Sequence, residues 1–403
     1  MSPPVGGATA VVTLLLLLAA IVGTGAGAGA AEGRAGRFAS VVDSAHVANT
    51  AHLRIQGTRF VRGDGQPFQW RGITAFRLLQ MLARGRTPEV EAYLDWCAEQ
   101  GLTVVRVLTM AEHLFPLEPL DGRAVLPRLL TMAERRGLYV EIVALADTAV
   151  VPVDIDQHVR EIGAIAARHP NAIVELANEP GHPTQAERVD DAAELAKLAR
   201  LIPESVPVAF GSAEGDERFA GGDYATFHFP RLDGNRGWDH VAELADGADL
   251  LRKWKKPLVS DEPIGAGDRE DPGARDDSPE RFRAASLLSA MVGMGATFHY
   301  EDGLHARTPG GRQRAIFEAW REAWALVPGD GTVSLTEVGG AGSPVQAVNG
   351  EFIGAYAAVR GDEAWLLVIG TRGEAEVRWA DGWRPAEKRT WRESFLWPAS
   401  RVR

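Results

Sequence analysis

The chain has 403 residues, 45% of them hydrophobic and 24% charged, which is the composition of a globular protein with a sizeable core. Its formal net charge is −11, spread along the chain rather than gathered in a tail; that excludes nucleic acid as the main ligand, because a phosphate-binding surface needs a basic patch. Cys97 is the only cysteine, so no internal disulfide is available and the core must stabilise the fold alone.

In chain order, the first feature is AVVTLLLLLAAIV (10–22), an apolar stretch of signal-peptide length and short for a membrane span. It runs into Ala28-Gly29-Ala30, small residues of the kind a signal peptidase reads, although MSPPVGG before it carries no Lys or Arg. Residues 1–31 are therefore expected to be a signal peptide and the protein secreted or periplasmic, with an uncleaved anchor as the competing reading. A flexible segment (32–52) is expected to follow. RIQGTRFVRGDGQPFQWRG then reads as a β-hairpin around RGDGQP, with Gly63 and Gly65 as its permissive residues, placed to plug the bottom of a barrel.

From there apolar, β-branched-rich runs begin near residues 68, 103, 139, 173, 206, 225, 257 and 296. Amphipathic stretches such as TPEVEAYLDWCAEQG, PRLLTMAERRG, HVREIGAIAARH and ERFRAASLLSAMVGMG lie between most of them. Eight strand-plus-helix units predict an α/β (β/α)8 TIM barrel over 53–327. A doubly wound open sheet shares the alternation, but no Gly-rich phosphate loop follows the first strand. The sixth run follows the fifth by only 19 residues, which leaves room for a loop or a short helix. Beyond 327 the period changes. FIGAYAAVR, AWLLVIGT, AEVRWA and RTWRESFLW predict short antiparallel strands, a small C-terminal β-domain over 328–403. Its tryptophans (Trp365, Trp379, Trp383, Trp391, Trp397) are read mainly as packing groups, with a sugar-stacking surface as the alternative.

Reactive groups of such barrels project from the C-terminal ends of the strands. These ends carry Asn178 and Glu179 on the fourth run, His228 on the sixth, and Asp261 and Glu262 on the seventh. Asp147 ends the third, and His299, Glu301 and Asp302 close the eighth. The fourth and seventh strands lie across the barrel, so Glu179 and Glu262 are expected to face each other over a cleft. Two opposed carboxylates are the minimum for glycoside hydrolysis. Glu175, four residues deeper on the fourth strand, is expected to be an internal acid. Asp261, beside Glu262, is expected to point to the opposite side of its strand as a structural acid.

The set Arg106 in VVRVL, Asn178-Glu179 in ANEP and Glu262 in VSDEP resembles the clan A glycoside hydrolases, most closely the cellulase-like members of glycoside hydrolase family 5. The opening GQPFQWRGI fits the same pattern, and the resemblance covers roughly 53–326. It implies Glu179 as acid/base, Glu262 as nucleophile held ionised by Arg106, and Asn178 as an amide for a sugar hydroxyl. The implied mechanism is retaining, with carboxylates about 5–5.5 Å apart. The ligand it implies is an oligo- or polysaccharide. Three departures stand out. Pro230 follows His228 where the family tends to carry Tyr, VALAD lacks the family's His near the third strand end, and Phe298 and Tyr300 replace a strand-eight Trp. His228, Phe298 and Tyr300 are accordingly candidate sugar contacts, and His113, His182 and His305 lie on loops within possible reach of substrate.

No His-x-His opens the first strand and no His-Glu-x-x-His occurs, so neither metal nor cofactor is expected. No Gly-x-Ser-x-Gly elbow suggests a serine esterase either. GAGDREDPGARDDSPER (265–281) reads as a solvated acidic loop after the seventh strand. Two alternatives to hydrolysis remain: a catalytically degenerate barrel that binds carbohydrate, and a transglycosylase using the same pair.

Overall fold

A computed structural model describes residues 52–212, 215–229, 237–264 and 278–402. The expected signal peptide, nearly all of the flexible segment, Pro230 and most of the acidic 265–281 loop lie outside these residues. Among the described residues no helix is long and apolar enough to cross a membrane.

Eight parallel strands form the central sheet: β3 (Arg71–Thr74), β4 (Val104–Leu108), β5 (Tyr139–Leu145), β6 (Ala172–Ala177), β7 (Val208–Ala209), β8 (Ala225–Thr226), β9 (Leu258–Ser260) and β10 (Gly295–Phe298). Their order is β7-β6-β5-β4-β3-β10-β9-β8, with β10 pairing β3, so the sheet closes everywhere except between β7 and β8. That seam falls at the short 19-residue interval, which among the described residues holds only a 3-10 turn at Glu217–Phe219. It is sealed by other means. Tyr224 and Asp223 backbone N–H groups donate to Val208 O, and the Asp223 carboxylate accepts from Val208 N at 3.0 Å.

The polypeptide enters through a hairpin, β1 (Arg54–Gln56) with β2 (Arg59–Val61). It reverses first at Gly57, where φ is +60°, and again at RGDGQP, the turn that the sequence suggested. The latter is closed by Arg62 N to Gln66 O and a bridge from Val61 to Pro67. The plugging role holds. Phe60, Phe68 and Trp70 pack with Val104, Tyr139, Ile173, Tyr224 and Val259, closing the N-terminal end of the barrel. Trp70 Nε1 donates to Thr297 Oγ1 at 3.2 Å.

The helices among the described residues are α1 (Leu78–Ala83), α2 (Thr87–Glu99), α3 (Pro119–Glu134), α4 (Ile155–Ala166), α5 (Ala192–Ala199), α6 (Trp238–Glu243), α7 (Gly247–Trp254), α8 (Pro279–Val292), α9 (Glu301–Leu304) and α10 (Gly311–Glu322). Helix α3 begins earlier than its sequence pattern suggests and continues through Pro127. Gly122 lets it approach β4, since a Cβ there would sit 1.9 Å from Thr109 O.

The C-terminal region forms two antiparallel sheets. The larger runs β11 (Ser334–Thr336), β13 (Gly354–Arg360), β14 (Glu363–Ile369), β18 (Ser394–Arg401), β16 (Trp383–Pro385), with β17 (Arg389–Thr390) also on β18. The smaller pairs β12 (Val345–Glu351) with β15 (Arg372–Trp379). RTWRESFLW is thus a hairpin, β17 to β18, not one strand. All five of the tryptophans named above are buried or half-buried, as packing groups are.

Candidate active site

The C-terminal ends of β4, β6, β9 and β10, and the segment after β8, converge on one cluster. Asn178 N donates to Leu145 O at 2.9 Å, extending β6 by one residue. Glu179 then takes a left-handed conformation, φ +46°, which costs a residue with a Cβ about 1–2 kcal/mol. The turn is held by His182 N on Glu179 O at 3.0 Å and by Gln185 Nε2 on Asn178 O at 2.5 Å. Strain supported this way aims the Glu179 side chain inward over the barrel mouth. Glu262, just past β9, arrives from the opposite side and is 5% exposed.

One carboxylate oxygen of each glutamate and a ring nitrogen of His228 all lie within 4.8 Å of one another. His228 bridges the pair, with Nδ1 3.3 Å from Glu179 Oε1 and Nε2 3.9 Å from Glu262 Oε1. Its backbone N donates to Ser212 Oγ at 3.2 Å, which fixes the ring's approach. On the other side, His299 Nε2 lies 3.5 Å from Glu262 Oε2, while its Nδ1 meets Thr74 Oγ1 at 2.9 Å.

Arg106, fully buried, joins these groups to the barrel interior. Its Nη1 donates to Glu262 Oε1 at 3.3 Å and its Nη2 to Asn178 Oδ1 at 3.1 Å. Nε and Nη2 also hold Glu175 in a bidentate pair at 2.8 and 3.0 Å. Burial by itself would discharge the guanidinium; the hydrogen-bonded Glu175 carboxylate and Glu262 outweigh that and keep its pKa well above the ordinary arginine value. With Asn178 Oδ1 taken by Arg106, the amide nitrogen is the side chain's remaining donor.

Glu175 is the internal acid that the sequence suggested, but Asp261 is not where parity put it. Val259 faces the barrel interior in the plug cluster, and Asp261, two residues on, faces inward as well. Strand β9 ends at Ser260, so alternation no longer governs Glu262, and both acids project inside. Asp261, Glu175 and Glu141 present carboxylate oxygens within 4.8 Å of one another, all three fully buried. Burial, then repulsion from Glu175, pushes Glu141 up to about 8 against the opposing pull of Arg106 and a hydrogen bond from Tyr224. Burial and Glu141 likewise raise Asp261 well above the carboxylate range. Arg106 Nη2 is 3.8 Å from Asp261 Oδ2, close enough for an ion pair if Asp261 were ionised. Neither Asp261 oxygen has a hydrogen-bond partner, however, and an unsupported carboxylate among three others favours the neutral acid. Both carboxylate groups have the spacing of cation ligands, but Arg106 already brings the positive charge to each.

Two sequence expectations are corrected here. Phe298 and Tyr300 do not face a sugar: both are buried, and their rings pack on Phe282, with Phe298 also against Phe317 and Trp320. Residues alternate along β10, so Thr297 and His299 face inward and the aromatics face the helices. The site residue that sequence reasoning left out of its final set is His299, whose signal was inward parity at a strand end. His113 pairs with Asp147 at 3.0 Å and His182 with Thr184 at 2.9 Å, both away from the carboxylate pair's direct contacts.

No family model matches the sequence, and no curated protein matches it either. Solved structures do match the fold. A glycoside hydrolase family 5 protein from Bacteroides vulgatus superposes with TM-score 0.55 at 14% identity, covering 87% of this chain and 93% of that one. A structure described as a glycoside hydrolase gives TM-score 0.53 at 14% identity over 87% and 97%. A β-glucanase from Saccharophagus degradans, solved in complex with cellotetraose, gives 0.50 at 13% over 68% and 93%. At such identity the likeness establishes the fold, a (β/α)8 barrel with a small C-terminal β-domain.

Proposed function

We propose that the protein is a glycoside hydrolase that cleaves O-glycosidic bonds of a β-linked glycan by a retaining double displacement. The observation that carries this reading is the Glu179–Glu262 pair, two carboxylates from opposed strands with oxygens within 4.8 Å at the barrel mouth. That approach of the nearest oxygens favours a retaining pair, whose carboxyl groups stand about 5–5.5 Å apart, over an inverting one at about 6.5–9.5 Å. The named fold neighbours support the same class.

Glu262 attacks the anomeric carbon while Glu179 gives its proton to the departing glycosidic oxygen. Water then attacks the glycosyl ester, passes its proton to Glu179, and Glu262 leaves as a carboxylate. Arg106 favours the ionised, nucleophilic form of Glu262, and the neutral forms of Glu141 and Asp261 beneath it withhold further negative charge. The remaining amide donor of Asn178 suits a hydroxyl of the reacting sugar. The apolar segment at 10–22 supports export, which a fractionation experiment with the full chain measures.

Glu179→Gln and Glu262→Gln are each expected to lower kcat by about 10³-fold or more on a panel of aryl β-glycosides and β-glucans, with melting curves unchanged. Full activity in either variant rejects the assignment. The anomer released first, read by proton NMR, separates retention from inversion. One observation favours a second reading, a barrel that binds glycan without cleaving it: Pro230 stands where the resembled family tends to carry a Tyr, and VALAD lacks its His. Glycan binding with no turnover across the panel would select that reading. Transfer to a sugar acceptor in place of water would mark a transglycosylase.

A further inference from the structure

The segments leaving β3 and β10, which are neighbours in the sheet, enclose a pocket of about 340 Å³ on the same face of the barrel as the carboxylate pair. Its walls carry Arg77, Arg86, Arg307 and His305 against a single acid, Glu89. Glu89 is already engaged by Arg86, Nε to Oε1 at 2.7 Å. Arg77 and Arg307 have no acidic partner among the described residues. Arg77 is half-buried and held in place, its Nε donating to Gln80 Oε1 at 3.0 Å and its guanidinium 5.8 Å from the Phe115 ring centroid. That leaves its two terminal nitrogens undirected by protein.

In a chain of net charge −11, three arginines around one concavity are not a sample of the general surface. Neither Glu301 nor Asp302, on the same segment as Arg307, lines the pocket. Asp302 instead accepts from Gly310 N at 3.2 Å. The pocket also connects to the catalytic cluster through the chain. Phe76, next to Arg77, lies 5.1 Å from the Arg106 guanidinium and edge-on to His299 at 6.2 Å.

We propose that this pocket binds an anionic substituent of the glycan, a carboxylate or a sulfate ester, so that the enzyme prefers an acidic glycan to a neutral one. The inference rests on the glycoside hydrolase reading and extends it to substrate class. Planar arginine forks pair with such oxyanions through charge-assisted hydrogen bonds, each changing affinity by about tenfold or more.

The test separates binding from chemistry. Affinity of the full-length Glu179→Gln protein is measured by calorimetry for β-linked uronate oligosaccharides, for sulfated ones, and for neutral ones of equal length. The acidic oligosaccharides are expected to bind about tenfold or more tightly than the neutral ones, with the advantage shrinking as salt rises. Arg77→Ala and Arg307→Ala are each expected to reduce that preference about tenfold. Arg307 is exposed, so its variant keeps the test available if Arg77→Ala fails to fold. The uronate and sulfate arms show which oxyanion is held. Equal affinity for acidic and neutral oligosaccharides, or a preference that survives both substitutions, overturns the proposal while leaving the hydrolase reading intact. Acidic binding that depends on the arginines, together with no turnover by the wild-type protein, upholds the pocket and removes the hydrolase reading.

Discussion

At the scale of single residues, the unusual feature is how much carboxylic acid the barrel interior holds for one arginine. Arg106 serves Glu175 and Glu262, which leaves Glu141 and Asp261 to be stabilised as neutral acids. A raised folded-state pKa adds stability that is fully present below the unfolded value, 4.5 for Glu141, and is lost as pH rises through about 8. Buried His158 acts with the opposite sign. Burial and Arg123 push it down to about 4 from 6.5, so its contribution is present above 6.5 and is lost as pH falls toward 4. The two effects oppose each other between about 4.5 and 6.5, and above that window only the acids remain. Thermal stability is therefore expected to fall between pH 6.5 and 8, and Glu141→Gln, which keeps an acceptor for Tyr224, is expected to flatten the decline. Parallel pH profiles for the two proteins would refute this account. Removing the cation is the sharper perturbation. Arg106→Met strands Glu175 and Glu262 without their counter-charge and is expected to cost about 3–5 kcal/mol, read from denaturant midpoints.

At the scale of elements, the barrel's weak place is the join between β7 and β8, each only two residues long. Val208 N–H has the Asp223 carboxylate as its partner there, in place of a ladder carbonyl. Lys256 ties the same turn down from below by donating to Gly222 O and Ala220 O. Asp223→Ala is expected to cost about 1–3 kcal/mol, the penalty for a buried donor left unsatisfied, and to speed amide exchange at Val208. Unchanged exchange there would show that the seam is held some other way. Strand ends are also where sequence reading divided into success and failure. Regular alternation places Glu175 inside correctly, because β6 continues past it. The same rule applied to Glu262 misplaced Asp261, because β9 stops at Ser260 and the alternation stops with it. On β10 the attraction of aromatic side chains to sugars outweighed parity, and parity was the sounder guide: it turns His299 inward and Phe298 outward.

At the scale of the whole molecule, the larger C-terminal sheet and the barrel share one core. Along β14, Trp365, Leu367 and Ile369 join the barrel's main hydrophobic cluster, while Leu366 and Val368 face the smaller sheet with Val345 and Phe395. Helix α8 explains how this is possible. From Ala284 to Val292 every one of its residues is buried, as suits a helix covered both by the barrel and by the C-terminal sheet. Polar links reinforce the junction, Trp238 Nε1 to Glu393 at 2.8 Å and Arg283 stacked 4.7 Å from the Trp391 ring centroid. The full chain is therefore expected to unfold in a single calorimetric transition, and a chain ended at residue 327 to aggregate or melt well below it. Two separable transitions would show instead that sheets and barrel fold independently.

The sequence by itself determined the eightfold alternation of strand and helix, the short interval that became the seam, and the chain positions of the opposed glutamates. All of these are written in local hydrophobic period and spacing, which a single pass along the residues can read. Tertiary structure alone decided which neighbours meet: the His228 bridge, the inward turn of Asp261 and His299, the burial of Phe298 and Tyr300, and the arginine pocket at the rim. These depend on where strands stop, how a left-handed residue redirects a side chain, and which loops are brought together when β3 closes on β10. Those contacts join residues on separate strands and loops, 49 positions apart for Glu179 with His228 and 225 for Thr74 with His299, and local period carries no information about them.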